Sequence, residues 1–492
     1  MKILLLSFGL IIFPFLLSFQ ACSTNESDST INIDGNSRVI DDNEIARAVK
    51  TEFLIAPNIN ADSIEVRVSD EVVTLSGKTD NILTRRRAAR ITESVTGVKS
   101  VINHIMVTKA DRSDALIEDD LVTALANNPA TYAFTVNTSV NNGNVTLTGT
   151  VQSWQEKELC REVAEGVRGV RDVTNNIKIN YNAFRNDKDI KADIVSRLKW
   201  DVYVNQQFIN VSVDGGNVTL TGTVASAAER EWAYDDAWVN GVNSVNVQNL
   251  KVQWWQNSSP ESNQENITLR DKEIQTALEQ AFILDPRVIS DRINIKVNDG
   301  VVTLKGIVTN LQAKHAAERD AKRTIGVFGI NNDLAVQPKS IPVNVEIKDR
   351  VAQALKRNPY IEKCNIEISA QNGMVYLTGK VDNKFEKNIA GEAASAVKGV
   401  IDVQNDITYQ EAQVKAKSDS EIKENIKKQL YWNPITNSQK IKVQVLDGDV
   451  LLTGYVATDL EKSVATVEAY QGGAAEVDNE LEITSPVRIV NK

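Results

Sequence analysis

At 492 residues the chain is longer than one hydrophobic core usually serves, so several domains are expected before any motif is read. Its 42% hydrophobic and 24% charged residues are ordinary for folded domains and exclude a wholly disordered chain. A formal net charge of −10 excludes a general affinity for nucleic acid or for anionic surfaces, so any contact with an anion must be local.

At the N-terminus, Lys2 is followed by an apolar run from Ile3 to Phe19, interrupted by Pro14 and closed by Gln20-Ala21-Cys22. The run is short for a membrane span and has the layout of a bacterial export signal. Its end resembles the lipobox of bacterial lipoproteins, with Phe19 standing where that family prefers leucine. The resemblance implies a signal peptide over residues 1–21, acyl chains on Cys22 and a polar tether over 22–40. An uncleaved N-terminal anchor is the alternative. Cys160 and Cys364 then remain, about two hundred residues apart, which argues against a disulfide framework.

Beyond the tether one pattern recurs six times: Val73-Thr-Leu-Ser-Gly77, Val145-Thr-Leu-Thr-Gly149, Val218-Thr-Leu-Thr-Gly222, Val302-Thr-Leu-Lys-Gly306, Val375-Tyr-Leu-Thr-Gly379 and Val450-Leu-Leu-Thr-Gly454. The glycines are 72, 73, 84, 73 and 75 residues apart, the signature of tandem modules. A second glycine follows about twenty residues later: Gly97, Gly169, Gly241, Gly326, Gly399 and, more loosely, Gly473.

Each period opens with apolar residues four apart, as in Ile190/Ile194/Leu198 and Ile274/Leu278/Phe282, which make one face of a helix. Asn128-Pro129, Asp285-Pro286, Asn358-Pro359 and Asn433-Pro434 end it, because proline cannot continue the hydrogen-bond ladder. Period-two alternation follows, as in Ile209/Val211/Val213, then turn residues such as Asn298-Asp299-Gly300, then the Val-Thr-Leu strand: a hairpin with Val and Leu inward and threonine outward. An alanine-rich helix and a third strand complete the period, and the intervening helix calls for a parallel crossover.

The fold class is therefore α+β: six α-β-β-α-β modules, each a three-stranded mixed sheet covered by two helices, over residues 41–109, 112–181, 186–255, 269–338, 344–410 and 417–485. They are expected to fold independently. A polar linker over 256–268 divides them into two groups of three. The open threonine faces are expected to meet a neighbouring module or a ligand, and the atypical first and sixth copies to serve as terminal caps.

These repeated residues, with the Gly-Val near the second helix end and the Asn-Pro or Asp-Pro after the first, resemble BON domains, the bacterial OsmY and nodulation domains, across nearly all of the mature chain. The resemblance implies a periplasmic or outer-membrane location, no catalytic centre, and binding of phospholipid or other envelope components.

No catalytic residue, cofactor or metal site is expected: His104 and His315 fall in different modules, and no phosphate-binding glycine motif opens a helix. The carboxylates read as solvated faces. Cys160 occupies the slot of Ala88, Ala233, Ala317, Ala390 and Ala465, so a buried thiol is expected. Trp200 and Trp432 share a slot and read as core, whereas Trp238 aligns mostly with polar residues and reads as outward. With Trp254 and Trp255 it forms either an exposed aromatic patch or a contact between modules. Arg85, Arg86, Arg87 and Arg90 lie on the second helix of the module nearest the anchor, either as a solvated face or as a contact for anionic lipid headgroups, with Arg86 and Arg87 the best partners of Arg90. Two readings follow. One is a non-enzymatic, lipid-anchored protein that touches phospholipid and supports envelope integrity under osmotic stress. The other is a structural spacer or interaction array reaching toward peptidoglycan or envelope proteins.

Overall fold

The computed structural model describes residues 40–489 apart from 109–111, 132–134, 182–184, 254–267, 410–417, 434, 437, 457–458 and 485–487. The expected signal peptide, Cys22, the expected tether up to residue 39, all of the expected linker but Thr268, and Pro434 thus lie outside the described residues.

Module three shows how the periodicities become structure. Its first helix, Asp187–Trp200, starts where Asn186 accepts a hydrogen bond from the Asp189 amide, and it buries Ile190, Ile194 and Leu198. Strands Ile209–Asp214 and Asn217–Val224 form the antiparallel hairpin, the second helix Ala227–Asp236 crosses back, and strand Ser244–Val252 runs parallel to the middle strand. All six sheets place the Val-Thr-Leu strand in the centre. In modules five and six the third strand is broken, into Asp402–Asn405 with Thr408–Tyr409 and Val477–Asn479 with Glu482–Ile483.

The glycine that ends each pentapeptide has a steric cause. All six have φ between +118° and +137°, and an added Cβ would lie 2.0–2.4 Å from the carbonyl oxygen of the residue before or at the start of the first strand. Only glycine allows the two strands to approach there.

A second device fixes the hairpin turn. The carboxylate at the first position of the first helix receives two successive turn amides: Asp42 from Asp70 and Glu71, Asp114 from Asn142 and Gly143, Asp187 from Gly215 and Gly216, Asp271 from Asp299 and Gly300, and Asp419 from Asp447 and Gly448, all at 2.7–3.0 Å. In module five Asn344 accepts from the Asn372 amide at 2.8 Å. This clamp lets module one dispense with a turn glycine, holding Asp70 and Glu71 at φ of +53° and +64°.

The modules are not independent. Module one lends Ile82 and Val107 to the core of module two, Trp154 of module two lies against the core of module three, and Ala227 of module three enters the core of module one, closing a ring. Module four likewise lends Leu311 and Val336 to module five. Across the two halves the modules pair in nested order. Thr96 of module one donates to the Trp432 carbonyl of module six; Arg168 of module two to Arg357 of module five, and Lys398 of module five back to Asn127; Ile325 of module four to Trp200 of module three, and Val202 back to Arg323. Carbonyls at the ends of first helices, which lack partners inside the helix, supply most of these acceptors.

Of the two occupants expected for the open sheet faces, a neighbouring module is not found there: the modules meet mainly through their helices, while the outer sheet faces, with Ile102, Met106, Val301, Ile307 and Tyr455, stay exposed. Two further expectations are corrected. Modules one and six are not free caps, because each is the other's partner. Trp200 and Trp432 leave their own cores and lie against those of modules four and one.

Candidate functional site

Where the second helices of modules one (Ile82–Glu93), two (Trp154–Glu165) and three (Ala227–Asp236) converge, they enclose a cavity of about 1020 Å³, completed by the first helices of modules three and four and the end of module four's second helix. The burial of each second helix on its own sheet turns the opposite, charged side toward this space. The mid-helix alanine slot sits on the sheet side: Ala88, Cys160, Ala233, Ala317, Ala390 and Ala465 are all fully buried, and burial pushes the Cys160 thiol up to about 12.

Six arginines of the cavity have carboxylate partners. Arg86 meets Glu165 at 2.6 Å, Arg161 meets Glu165 at 2.7 Å and also Glu158, Arg185 meets Asp193 at 2.8 Å, Arg197 meets Asp236 at 2.9 Å, Arg287 meets Asp285 at 2.5 Å, and Arg323 meets Asp201. Five carboxylates of the lining, Glu93, Glu162, Glu231, Asp235 and Asp320, form no direct ion pair among the described residues, although Arg230 acts on Glu93 and Glu231, and Arg197 and Arg323 act on Asp235 and Asp320. Burial, with Glu231 nearby, raises Glu93 to about 7; burial raises Asp235 to about 6 and lifts Glu231 and Asp320. Asp236 is 2% exposed; burial, then the neighbouring Asp201, raises its carboxyl well above the ordinary value despite Arg197 and Arg323. Among the described residues no group of three or more His, Cys, Asp or Glu side chains is placed to hold a metal ion.

Of the arginine row, Arg86 and Arg90 line the cavity, while Arg85 and Arg87 meet other modules beside it. Arg85 pairs with Asp172 of module two at 2.7 Å, Arg86 reaches the buried Glu165, the Arg87 guanidinium sits 4.1 Å over the Phe385 ring of module five, and Arg90 lines the cavity. The helix thus offers these groups to neighbouring modules. Trp238 is also placed inward: it is 8% exposed and stacks on Trp154 with ring centroids 5.4 Å apart, and Gln155 donates to its carbonyl at 2.6 Å. Its polar counterparts in other copies suggested an outward position, but ring closure covers this slot in module three. Trp254 and Trp255 lie outside the described residues. His104 and His315 are exposed on separate modules. Sequence reading took the carboxylates as solvated and missed the five in the cavity; the one available signal was their concentration on second helices, as in Glu158-Leu-Cys-Arg-Glu162 and Glu231-Trp-Ala-Tyr-Asp235.

A search of known proteins finds osmotically-inducible protein Y of Escherichia coli, 29% identical over 171 residues, 32% of this chain and 84% of that protein. It also finds outer membrane lipoprotein DolP of Haemophilus influenzae, 27% identical over 135 residues, 26% of this chain and 69% of that protein. Among solved structures CdsD, a structural protein of the Chlamydia trachomatis type III secretion system, aligns with 13% identity over 41% of this chain and 88% of that chain at a TM-score of 0.12, which carries no weight. The BON domain family matches residues 41–109, 113–181, 186–253, 270–338, 344–411 and 418–485. With the hairpin glycine, the crossover helix and the mixed sheet present in every copy, the chain belongs to the BON domain family, of which it carries six consecutive domains.

Proposed function

We propose that this chain is a non-enzymatic scaffold of the bacterial envelope, tethered through lipid on Cys22 and presenting six outward sheet faces to envelope partners. The observation that carries the reading is the engagement of helices within the array: the arginines at 85, 86 and 87 are held by other modules, and the open surfaces are the strands. The names of the two relatives, an osmotically inducible protein and an outer membrane lipoprotein, support an envelope location and a role under osmotic stress. The second reading, direct contact with anionic phospholipid, is favoured by the exposed Ile102 and Met106 on the module nearest the tether.

Membrane fractionation of cells expressing the wild type or Cys22→Ser separates the two. Loss of membrane attachment in Cys22→Ser supports the tethered scaffold. Retention of Cys22→Ser on the membrane, with flotation of the purified protein on anionic but not neutral vesicles, would replace it with direct lipid binding.

A further inference from the structure

We infer that the seam between modules three and four is a proton-held latch, closed while Asp236 and Asp320 keep their protons and loosened above neutral pH. The two residues occupy one slot near the end of the second helix in consecutive modules, 84 residues apart; the other copies place Ile91, Val163, Ala393 and Glu468 there. An acid in this slot therefore marks the seams of three with four and of one with six, whereas the seam of two with five has only Val163 and Ala393.

The seam is tied by Val202 donating to the Arg323 carbonyl and Ile325 to the Trp200 carbonyl, each at 2.9 Å, and by the ion pair of Asp201 with Arg323. Asp236 adjoins this ion pair: it accepts from Arg197 at 2.9 Å, stands 3.8 Å from Arg323 and is within hydrogen-bond reach of Asp201. Ionised carboxylates only accept, so a hydrogen bond between two of them requires a proton on one. No amide, hydroxyl or guanidinium donates to Asp236 Oδ2, and the proton fits there. In module four the Oδ2 of Asp320 is likewise buried without a donor, and this carboxyl faces Asp285, Arg287, Arg323 and Arg197, with Arg319 next to it on its own helix. Glu229 beside Asp201, and Asp235 beside Arg197 and Arg323, bring the acids of the seam to six against four guanidiniums. Away from water, such an excess is relieved by protonation. Burial, then Asp285, raises Asp320 to about 7, and burial, then Asp201, raises Asp236. A carboxyl raised in the folded state contributes stability that is fully present below its ordinary value of 3.8 and is lost as pH rises through its raised value. Within that window each released proton favours opening by up to about ten-fold per pH unit.

Hydrogen exchange of the full chain in detergent at pH 5 and pH 8, read as protection factors so that the pH dependence of the exchange chemistry cancels, tests this. The expected result is a fall of at least about ten-fold in protection at the Val202 and Ile325 amides, with a smaller change at the Arg168 and Lys398 amides, which tie modules two and five. Asp236→Asn/Asp320→Asn keeps the shape without the titration and is expected to hold protection at Val202 and Ile325 level between the two pH values. Circular dichroism checks that the variant is folded. Should it fail to fold, Asp320→Asn alone is expected to shrink the fall about three-fold or more. Equal falls at both seams, protection that does not fall, or an unchanged fall in a folded variant would overturn the inference.

Discussion

The aspartate that opens five of the six first helices and the glycine that ends each pentapeptide act on one hairpin from opposite ends. The glycine permits close approach at the open end, and the carboxylate ties down the turn. Hydrogen bonds to a charged acceptor contribute roughly 1.5–3 kcal/mol, so losing both in Asp187→Ala is expected to cost about 3 kcal/mol, read as a lower urea midpoint for module three. Module five offers the converse. An asparagine has one acceptor oxygen where aspartate has two, so Asn344→Asp is expected to stabilise by about 1 kcal/mol and to slow hydrogen exchange at the Gly373 amide. In Gly222→Ala the new Cβ would meet the Phe208 carbonyl oxygen at 2.0 Å, with a cost of about 3 kcal/mol. The glycine was legible because the same residue recurs at a fixed place in a strand. The clamp was not, because Asp42, Asp114, Asp187, Asp271 and Asp419 look like ordinary acids at a helix start, and their turn partners lie 28 and 29 residues on.

At the scale of elements, the helix ends determine the pairing, and the pair of modules one and six is also sensitive to pH. Glu52 on the first helix of module one faces Glu468 on the second helix of module six. The Gln429 amide donates to both, at 2.7 and 3.1 Å, and Asn433 donates to Glu468 at 2.6 Å. Burial, then the neighbouring Glu468, raises Glu52 to about 7; burial also raises Glu468. A carboxyl raised in the folded state contributes stability that is fully present below its ordinary value of 4.5 and is lost as pH rises through about 7. The contact of modules one and six is therefore expected to be tighter at pH 5 than at pH 8, with Glu52→Gln removing most of the difference; hydrogen exchange at the Thr96 amide is the readout. Helices and strands were legible because their periods, 3.6 and 2, are local. Which helix face meets another module was not. The arginine row was expected at solvent or lipid, yet its partners Asp172, Glu165 and Phe385 lie in modules two and five, beyond the reach of any periodicity.

For the whole molecule, the ring and the nested pairs gather the described residues of all six modules into one compact unit. The longer spacing between the third and fourth pentapeptide glycines, 84 residues against 72–75 elsewhere, pointed to two groups of three, but not to their mutual closure. Trp432 is a test of that closure, since it lies against the core of module one and its carbonyl accepts from both the Thr96 amide and hydroxyl. Trp432→Ala is expected to weaken the contact by about 2–3 kcal/mol and to enlarge the radius of gyration in small-angle scattering without loss of secondary structure. The nesting also orders events in time. A chain that emerges from its N-terminus can complete the ring of modules one to three early, but each ring member then waits for its mate, and module one waits longest, because Thr96 and Trp432 are 336 residues apart. Assembly is therefore expected to close from the pair of modules three and four toward the two ends. A chain cut short after module five would carry four modules with mates and leave module one without the partner that reaches it last.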